Sequence, residues 1–404
     1  MIFTSEQENI IQEAINWFFG SSKQIFEISG GAGTGKSVVI NEIIHRLRLE
    51  PWQYISGAYT GTAAIIMRLK GLTNARTLHS IFYRLVEKKM YDKETGLEII
   101  DPKFNTPKKQ YEFVPIPIGY IPDQIKLIVI DEGYMVPAYM KYHILKHNIK
   151  VLVCGDAQQL PPVEGEPAFL TGEGIHWLTQ IMRQNQNNPI VYLANRAIQG
   201  LPIHCGLYGN STIVIESNDF TNDMALNAGN IICCTNKSRD SFNKTIRQLL
   251  HRNDSIPEFG DRVICRKNNW NISINNIALA NGLQGYIYSP IGPASMHQKD
   301  KHLFSMNFLP DLLNVSFDNL IVNYPYIVSD YAERAKIKNN KYTKGELFEF
   351  AYAITTHLSQ GSEYKCGIFY EEYLNGNDQN SLVYTGITRF RDYMIYVKPS
   401  RRFY

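Results

Sequence analysis

Net charge is nearly absent: 41 Lys and Arg against 38 Asp and Glu leave a formal +3 over 404 residues. Charge therefore argues neither for nor against a nucleic-acid partner, and any basic surface must be local. No apolar run approaches the ~20 residues that span a bilayer, so no membrane partner is expected. The opening "MIFTSEQEN" lacks a basic region before an apolar core and does not read as a signal peptide. The six cysteines (Cys154, Cys205, Cys233, Cys234, Cys265 and Cys366) form no C-x-x-C pair, and most sit in apolar runs such as "VLVCG" and "IICCT". They read as buried, reduced thiols of a cytoplasmic protein. Repeats and low-complexity segments are also missing. What remains is an ordinary hydrophobic content of 44% and enough chain for two or three domains.

Thr4 or Ser5 can cap a first helix, with Gln7 or Glu8 closing a capping box. Ile11, Ala14, Ile15, Phe18 and Phe19 then repeat at helical spacing, and Gly20 stops the helix. After a short strand over 23–29 comes Gly30-Gly31-Ala32-Gly33-Thr34-Gly35-Lys36-Ser37, which fits G-x-x-x-x-G-K-[ST]. Glycines let the N–H groups of Gly31, Ala32, Gly33, Thr34 and Gly35 turn inward around phosphate oxygens, and the following helix adds its positive end. Lys36 brings charge to the β- and γ-phosphates of ATP, and Ser37 can ligate Mg²⁺. A glycine-rich turn that merely carries a lysine is the alternative. The motif says nucleotide, not which reaction follows.

A Mg²⁺-nucleotide site needs acid at the end of another buried strand. "IKLIVIDEGYM" provides an apolar run over 125–130, interrupted only by Lys126, as a parallel strand covered on both faces should. Asp131 lies at its carboxyl end, where α/β sheets bind ligands. It is suited to hold Mg²⁺ through water, and Glu132 to polarise an attacking water. A third strand over 150–154 runs into "GDAQQLPPV", where Pro161 and Pro162 forbid a helix. Gln159 in that loop can touch both the γ-phosphate and the attacking water. The alternatives are a solvated Asp-Glu pair and a polar loop held by prolines.

With these residues in place the chain resembles a superfamily 1 helicase, in the RecD-like branch that includes the phage Dda helicase. "GGAGTGKS" resembles motif I, "GAYTGTAA" (57–64) motif Ia and "ARTLHSIF" (75–82) motif Ib. "VIDEGYM" resembles motif II, "GDAQQLPPV" motif III and "LTQIMRQ" (178–184) motif IV. "AYAITTHLSQGSEY" (351–364) is similar to motif V and "VYTGITRFRD" (383–392) to motif VI. The segments follow in order over nearly the whole chain. The resemblance implies an α/β fold of two tandem RecA-like P-loop NTPase domains. These are 1–170, with an inserted β-hairpin arm over 83–123, and 171–404, with an inserted small β-barrel over 267–343.

The resemblance also assigns roles. Gln7 matches an adenine-reading glutamine, and Gly361 and Glu363 of motif V are expected at the nucleotide. Arg183 and Arg389 match two arginines that reach the γ-phosphate from the second domain; the plain alternative for each is a surface ion pair. Thr60, Gly61, His79, Asn236, Thr356 and His357 match positions that line a single-strand channel. Their chemistry suits it: hydroxyls and N–H groups for phosphates, ring faces for bases. Three motifs depart from the pattern. Tyr59 and Thr62 replace the usual proline and lysine of motif Ia, Gly133 and Tyr134 the usual small-Ser pair of motif II, and Gly386 and Phe390 alanines of motif VI. These put strand grip and coupling in question rather than hydrolysis. In the arm, Phe113 or Tyr111 is either the duplex wedge or an aromatic packed on the host domain. In the barrel, Lys336, Lys338, Lys341 and Lys344 either grip a strand or form a solvated charge run.

The expected function is an ATP-dependent DNA helicase, monomeric, acting on single-stranded DNA and duplex junctions alongside replication proteins, with ATP and Mg²⁺ as cofactors. The resemblance implies 5′-to-3′ movement. The Asn-, Ile- and Tyr-rich composition suggests a phage of an AT-rich genome. An RNA helicase, a single-strand-dependent ATPase without unwinding and a small-molecule kinase remain as other classes.

Overall fold

The computed structural model describes residues 3–89, 91, 95, 98, 100–101, 106–107, 109–162, 165–180, 188–252, 256–275, 277–289, 296–297, 300–340, 343–374 and 378–400. The first sheet runs Ile175–Leu178, Ile25–Gly30, Lys150–Gly155, Leu127–Asp131, Tyr54–Ala58, Arg76–Thr77, and every neighbouring pair is parallel. Its central strands are continuous apolar runs because helices and loops cover both faces. Ile128, Val129, Ile130, Leu152 and Val153 have no solvent exposure. All carboxyl ends point one way, which brings Gly30, Asp131 and Gly155 to one rim.

The expected boundary at 170/171 falls inside this lobe. Ile175–Leu178 pairs with Ile25–Gly30 from Glu27↔Ile175 to Gly30↔Leu178. A four-residue edge strand after a Gly-rich segment carries too little period to be read in advance.

The first helix, Ser5–Gly20, is capped by Thr4 with Gln7 closing the capping box. Its buried face is Ile10, Ile11, Ala14 and Trp17, turned from the expected stripe so that Phe19 is exposed. Trp17 sets that rotation: Nε1 donates to the Lys23 carbonyl at 2.9 Å and the ring packs on Phe26.

The second sheet runs Gly206–Tyr208, Thr212–Glu216, Phe390–Lys398, Tyr364–Tyr370, Ile231–Cys233, Ala353–Thr355; its first pair is antiparallel and the others parallel. A third, antiparallel sheet is inserted in this lobe. It orders as Met296–His297, Asp300–Pro310, Gln284–Ile287, Arg262–Cys265, Phe348–Phe350, with Phe317–Asn323 also on Asp300–Pro310. Its own core includes Phe304, Phe308, Phe317 and Phe348. The sheet begins and ends outside the expected 267–343, because the strands that join it to the lobe belong to it. Glu349 ties it there, facing Arg239 at 3.2 Å, Arg266 at 3.1 Å and Arg334 at 3.3 Å.

In the first lobe Tyr83–Lys89 pairs antiparallel with Lys109–Pro115 as a ribbon. Four cysteines are buried, but Cys205 and Cys366 are exposed, contrary to the expectation for the set. Among the described residues no helix is long and apolar enough to cross a membrane.

Candidate active site

The phosphate loop turns because Gly33 and Gly35 adopt φ of 84° and 86°, which side chains with a Cβ rarely tolerate. Gly35 is the left-handed cap from which helix Lys36–Arg46 starts. Lys36 Nζ donates to the Gly30 and Gly31 carbonyls at 2.7 and 3.0 Å, so the ammonium lies over the loop. Thr34 Oγ1 closes the turn onto the Gly31 carbonyl at 3.0 Å.

Around it is a cleft of about 720 Å³ with walls from both lobes. Ala32, Gly33, Gly35, Lys36 and Ser37 form one side, and Asp131, Glu132 and Gln159 the floor. Gly361, Glu363 and Arg389 come from the second lobe. These eleven expected positions therefore meet in one place. Gly31 and Thr34 line a smaller adjoining cavity with Tyr384. Arg183 lies outside the described residues.

The carboxylates differ. Asp131 Oδ1 accepts from the Glu132 N–H at 2.9 Å, and Glu132 has a positive φ of 52°. Such a backbone, rare for a residue with a Cβ, turns the next side chain off the strand end and into the cleft. Glu132 Oε2 is enclosed with no hydrogen-bond partner among the described residues. Burial, then the charge of Asp131, pushes its pKa up to about 7, against the pull of Arg389 and Lys36. A proton acceptor poised near neutrality is what a general base requires. A hydroxyl from Ser37, the Asp131 carboxylate and the unpartnered Glu132 oxygen also fit a hard cation such as Mg²⁺. No cluster of three His, Cys, Asp or Glu among the described residues could hold a metal alone. A cation here would take its other ligands from phosphate and water.

Gln159 is 7% exposed and engaged at both ends: Oε1 accepts from Tyr134 Oη at 2.7 Å and Nε2 donates to Asp156 at 3.3 Å. Tyr134, bulky where the motif is small, thus holds the glutamine. Arg389 is 5% exposed. It donates to the Thr385 carbonyl at 3.1 Å, the Ser362 carbonyl at 3.2 Å and Thr388 Oγ1 at 3.3 Å, which rules out a surface ion pair. Gln7 sits beneath the loop: Nε2 donates to the Thr34 carbonyl at 3.2 Å while Oε1 accepts from the Thr4 N–H at 3.2 Å.

The expected strand contacts separate. Thr60 caps helix Gly61–Leu69, accepting from the Ala63 N–H at 3.2 Å, and lies against Gly361. Gly61 is buried under Ala280 of the inserted sheet. His79 is half-buried in an aromatic cluster, 5.4 Å from Tyr59 and 5.7 Å from Phe113. Thr356 has no exposure, and its hydroxyl donates to the Cys233 carbonyl at 3.2 Å. It stitches motif V to the neighbouring strand and cannot meet a bound strand directly. His357 beside it is half-buried, and burial lowers its pKa.

Asn236 opens a helix whose end already holds an anion. The Glu372 carboxylate accepts from the Cys234 and Thr235 N–H groups at 2.9 and 3.0 Å and from Ser238 Oγ at 2.6 Å. In the arm Phe113 is 55% exposed, whereas of Tyr111 only the backbone is described. Lys336 pairs with Glu333 at 3.0 Å and Lys344 lies 3.9 Å from Asp300, so both read as solvated charge; Lys341 falls outside the described residues.

Two residues were missed by the sequence reading. Tyr384 sits inside motif VI, where its hydroxyl gave no separate signal. Glu372 lies in no motif at all.

Residues 3–203 match the AAA domain family. No curated protein matches the chain in sequence. Among solved structures, the Pif1 helicase from Bacteroides in complex with ADP-AlF3 and single-stranded DNA is 18% identical with a TM-score of 0.55, over 98% of this chain and 92% of that one. Bacteroides Pif1 bound to single-stranded DNA is also 18% identical, with a TM-score of 0.57 over 98% and 92%. The Pif1 helicase from Candida albicans is 16% identical, with a TM-score of 0.55 over 100% and 97%. The chain therefore has the fold of these Pif1 structures. With residues 3–203 matching the AAA domain family and Lys36, Asp131 and Glu132 gathered in one cleft, it is an ATP-hydrolysing enzyme built on that fold.

Proposed function

We propose that this chain is an ATP-driven DNA helicase of the RecD-like/Dda branch of superfamily 1, moving 5′-to-3′ on single-stranded DNA and separating duplex at junctions. The observation that carries the reading is Arg389, a second-lobe cation lining the same cleft as Lys36 and Glu132 of the first lobe. ATP held there is shared between lobes, so its arrival draws them together and its hydrolysis lets them part.

Phosphoryl transfer needs chiefly positioning and charge. Lys36 and the loop N–H groups hold the phosphates. Glu132 takes a proton from the attacking water, and Gln159, once released from its present partners, orients that water. Arg389 stabilises charge on the γ-phosphoryl group as it transfers. Ser37 and Asp131 would hold Mg²⁺, which when bound neutralises the phosphate oxygens.

Binding of single-stranded DNA by structures of this fold supports the choice of substrate. So does the ring cluster of Tyr59, His79 and Phe113, which offers stacking faces without base-specific hydrogen bonds. Action in replication, recombination or repair, as a monomer in the cytoplasm of a phage host, completes the proposal. The decisive experiment is strand displacement on 5′-tailed and 3′-tailed DNA duplexes and matched RNA duplexes, with ATP turnover followed in parallel. Unwinding of 5′-tailed DNA is expected. Turnover without unwinding would make the chain a strand-dependent ATPase, and preference for RNA duplexes an RNA helicase.

A further inference from the structure

Loop 156–160 of the first lobe, which carries Gln159, is gripped by the second lobe at three points. Tyr384 Oη donates to Asp156 Oδ2 at 2.7 Å, the Leu160 N–H donates to Thr385 Oγ1 at 2.9 Å, and Gln360 Nε2 donates to the Leu160 carbonyl at 2.9 Å. Gln159 lies between these grips. Its Nε2 donates to Asp156 Oδ2, the oxygen that also accepts from Tyr384.

Asp156 has no solvent exposure, and its other oxygen, Oδ1, accepts from the Gln158 N–H at 3.1 Å. A buried carboxylate oxygen stripped of donors is costly. Gln159 can leave Asp156 for the γ-phosphate at little cost only if another donor stays on Oδ2. Tyr384 is that donor, and it belongs to the other lobe. Its hydroxyl also meets the phosphate loop, since a Cβ on Gly31 would lie 3.1 Å from it. The position of Tyr384 is therefore set by lobe closure and by the loop that holds nucleotide.

We propose that Tyr384 is a positioning residue that acts through Asp156 to release Gln159 for the attacking water only while the second lobe is docked. Withdrawal of the lobe removes the Tyr384 hydroxyl, and Asp156 then retains Gln159. Tyr134 fixes the sense of the switch. By donating to Gln159 Oε1 it presents the amide with Nε2 toward Asp156. Hydrolysis is thereby coupled to closure by a hydrogen-bond exchange at one carboxylate oxygen, in addition to the arrival of Arg389. The inference rests on the cleft being the motor's hydrolytic site.

Tyr384→Phe keeps the ring and removes only the hydroxyl. Oligonucleotide-stimulated ATP hydrolysis should lose about five- to tenfold in kcat, with KM for ATP within about twofold of wild type. Because the effect passes through Gln159, Tyr384→Phe combined with Gln159→Ala should turn over no more slowly than Gln159→Ala alone. Losses that multiply in the double variant overturn the proposal, as does a rise in KM with kcat intact, which would make Tyr384 a nucleotide contact. Should Tyr384→Phe melt early, Asp156→Asn, of nearly the same volume but weaker as an acceptor, is put through the same cycle with the same two outcomes. A wild-type protein without oligonucleotide-stimulated turnover sinks the motor reading and this relay together. A stimulated wild type with multiplying losses sinks the relay alone.

Discussion

Thr62 lies directly under Gly282: a Cβ built on Gly282, whose φ is +91°, would sit 2.7 Å from Thr62 Oγ1. One residue earlier, a Cβ on Gly61 would come within 2.4 Å of Ala280. The first turn of helix Gly61–Leu69 is thus docked beneath the 280–282 turn of the inserted sheet. The lysine usual at position 62 has no room there, which gives the motif Ia departure a physical reason. Thr62→Lys should push the turn off at a cost of about 1–3 kcal/mol for overpacking. Hydrogen exchange reads this at Gly282 and Leu283, whose N–H groups now bond to Cys265 and Ala280. Exchange there should quicken in Thr62→Lys and stay put in Thr62→Val, because Thr62 Oγ1 has no partner among the described residues to lose. Unchanged exchange in the lysine variant would mean that the turn is not seated on the helix.

Among the described residues Lys36 makes hydrogen bonds only within the loop, to Gly30 and Gly31. Lys36→Ala should therefore leave secondary structure and melting nearly as they were, while ATP turnover falls by roughly three orders of magnitude or more. Circular dichroism and a phosphate-release assay on the same preparation check both halves. Near-normal turnover would contradict the site.

The nucleotide half of the cleft was legible in the sequence because its determinants are local. Gly33, Gly35, Lys36 and Ser37 sit within one turn, and Asp131 ends, and Glu132 directly follows, the strand Leu127–Asp131. Arg389 was reached through a motif whose spacing is equally local. The strand side was less legible, since exposure depends on residues far along the chain. Thr356 matches its motif yet is spent on Cys233, more than a hundred positions away. The turn at Asn236 has the sequence of an anion site, but its anion is Glu372, and nothing near Asn236 announces that. The edge strand Ile175–Leu178 is placed by its register with Ile25–Gly30, which no short segment encodes alone.

His79 should act as a neutral ring. Burial lowers its pKa below the ordinary 6.5. A depressed pKa means that its contribution to stability is complete above the unfolded value and is lost as pH falls through the lower folded value. Between pH 6.5 and 8 the ring is neutral, so its grip on a strand should come from stacking. Replacement of His79 by Ala should weaken binding of a fluorescent oligonucleotide by about 1–3 kcal/mol. His79→Phe should retain most of the affinity, and neither variant should alter its pH dependence in that window. A wild-type affinity that climbs as pH drops from 8 to 6.5, and does so only with His79 present, would point instead to a charged imidazole on phosphate.

Arg389 carries two duties that one substitution can separate. Its guanidinium braces the second lobe through the Thr385 and Ser362 carbonyls, and it faces the cleft that contains Lys36. Arg389→Lys keeps a positive charge but loses the planar fork, so it cannot hold both carbonyls and still present a donor to phosphate. If the transition-state duty dominates, Arg389→Ala and Arg389→Lys should both bind a fluorescent ATP analogue nearly as wild type does. Hydrolysis should then fall by ~10³–10⁵ in the alanine variant and by a smaller factor in the lysine one. If the brace dominates, both variants should lose melting temperature together, and their turnover should recover on cooling. A rise in KM for ATP at unchanged kcat would place Arg389 in ground-state binding and remove the second lobe from the chemistry.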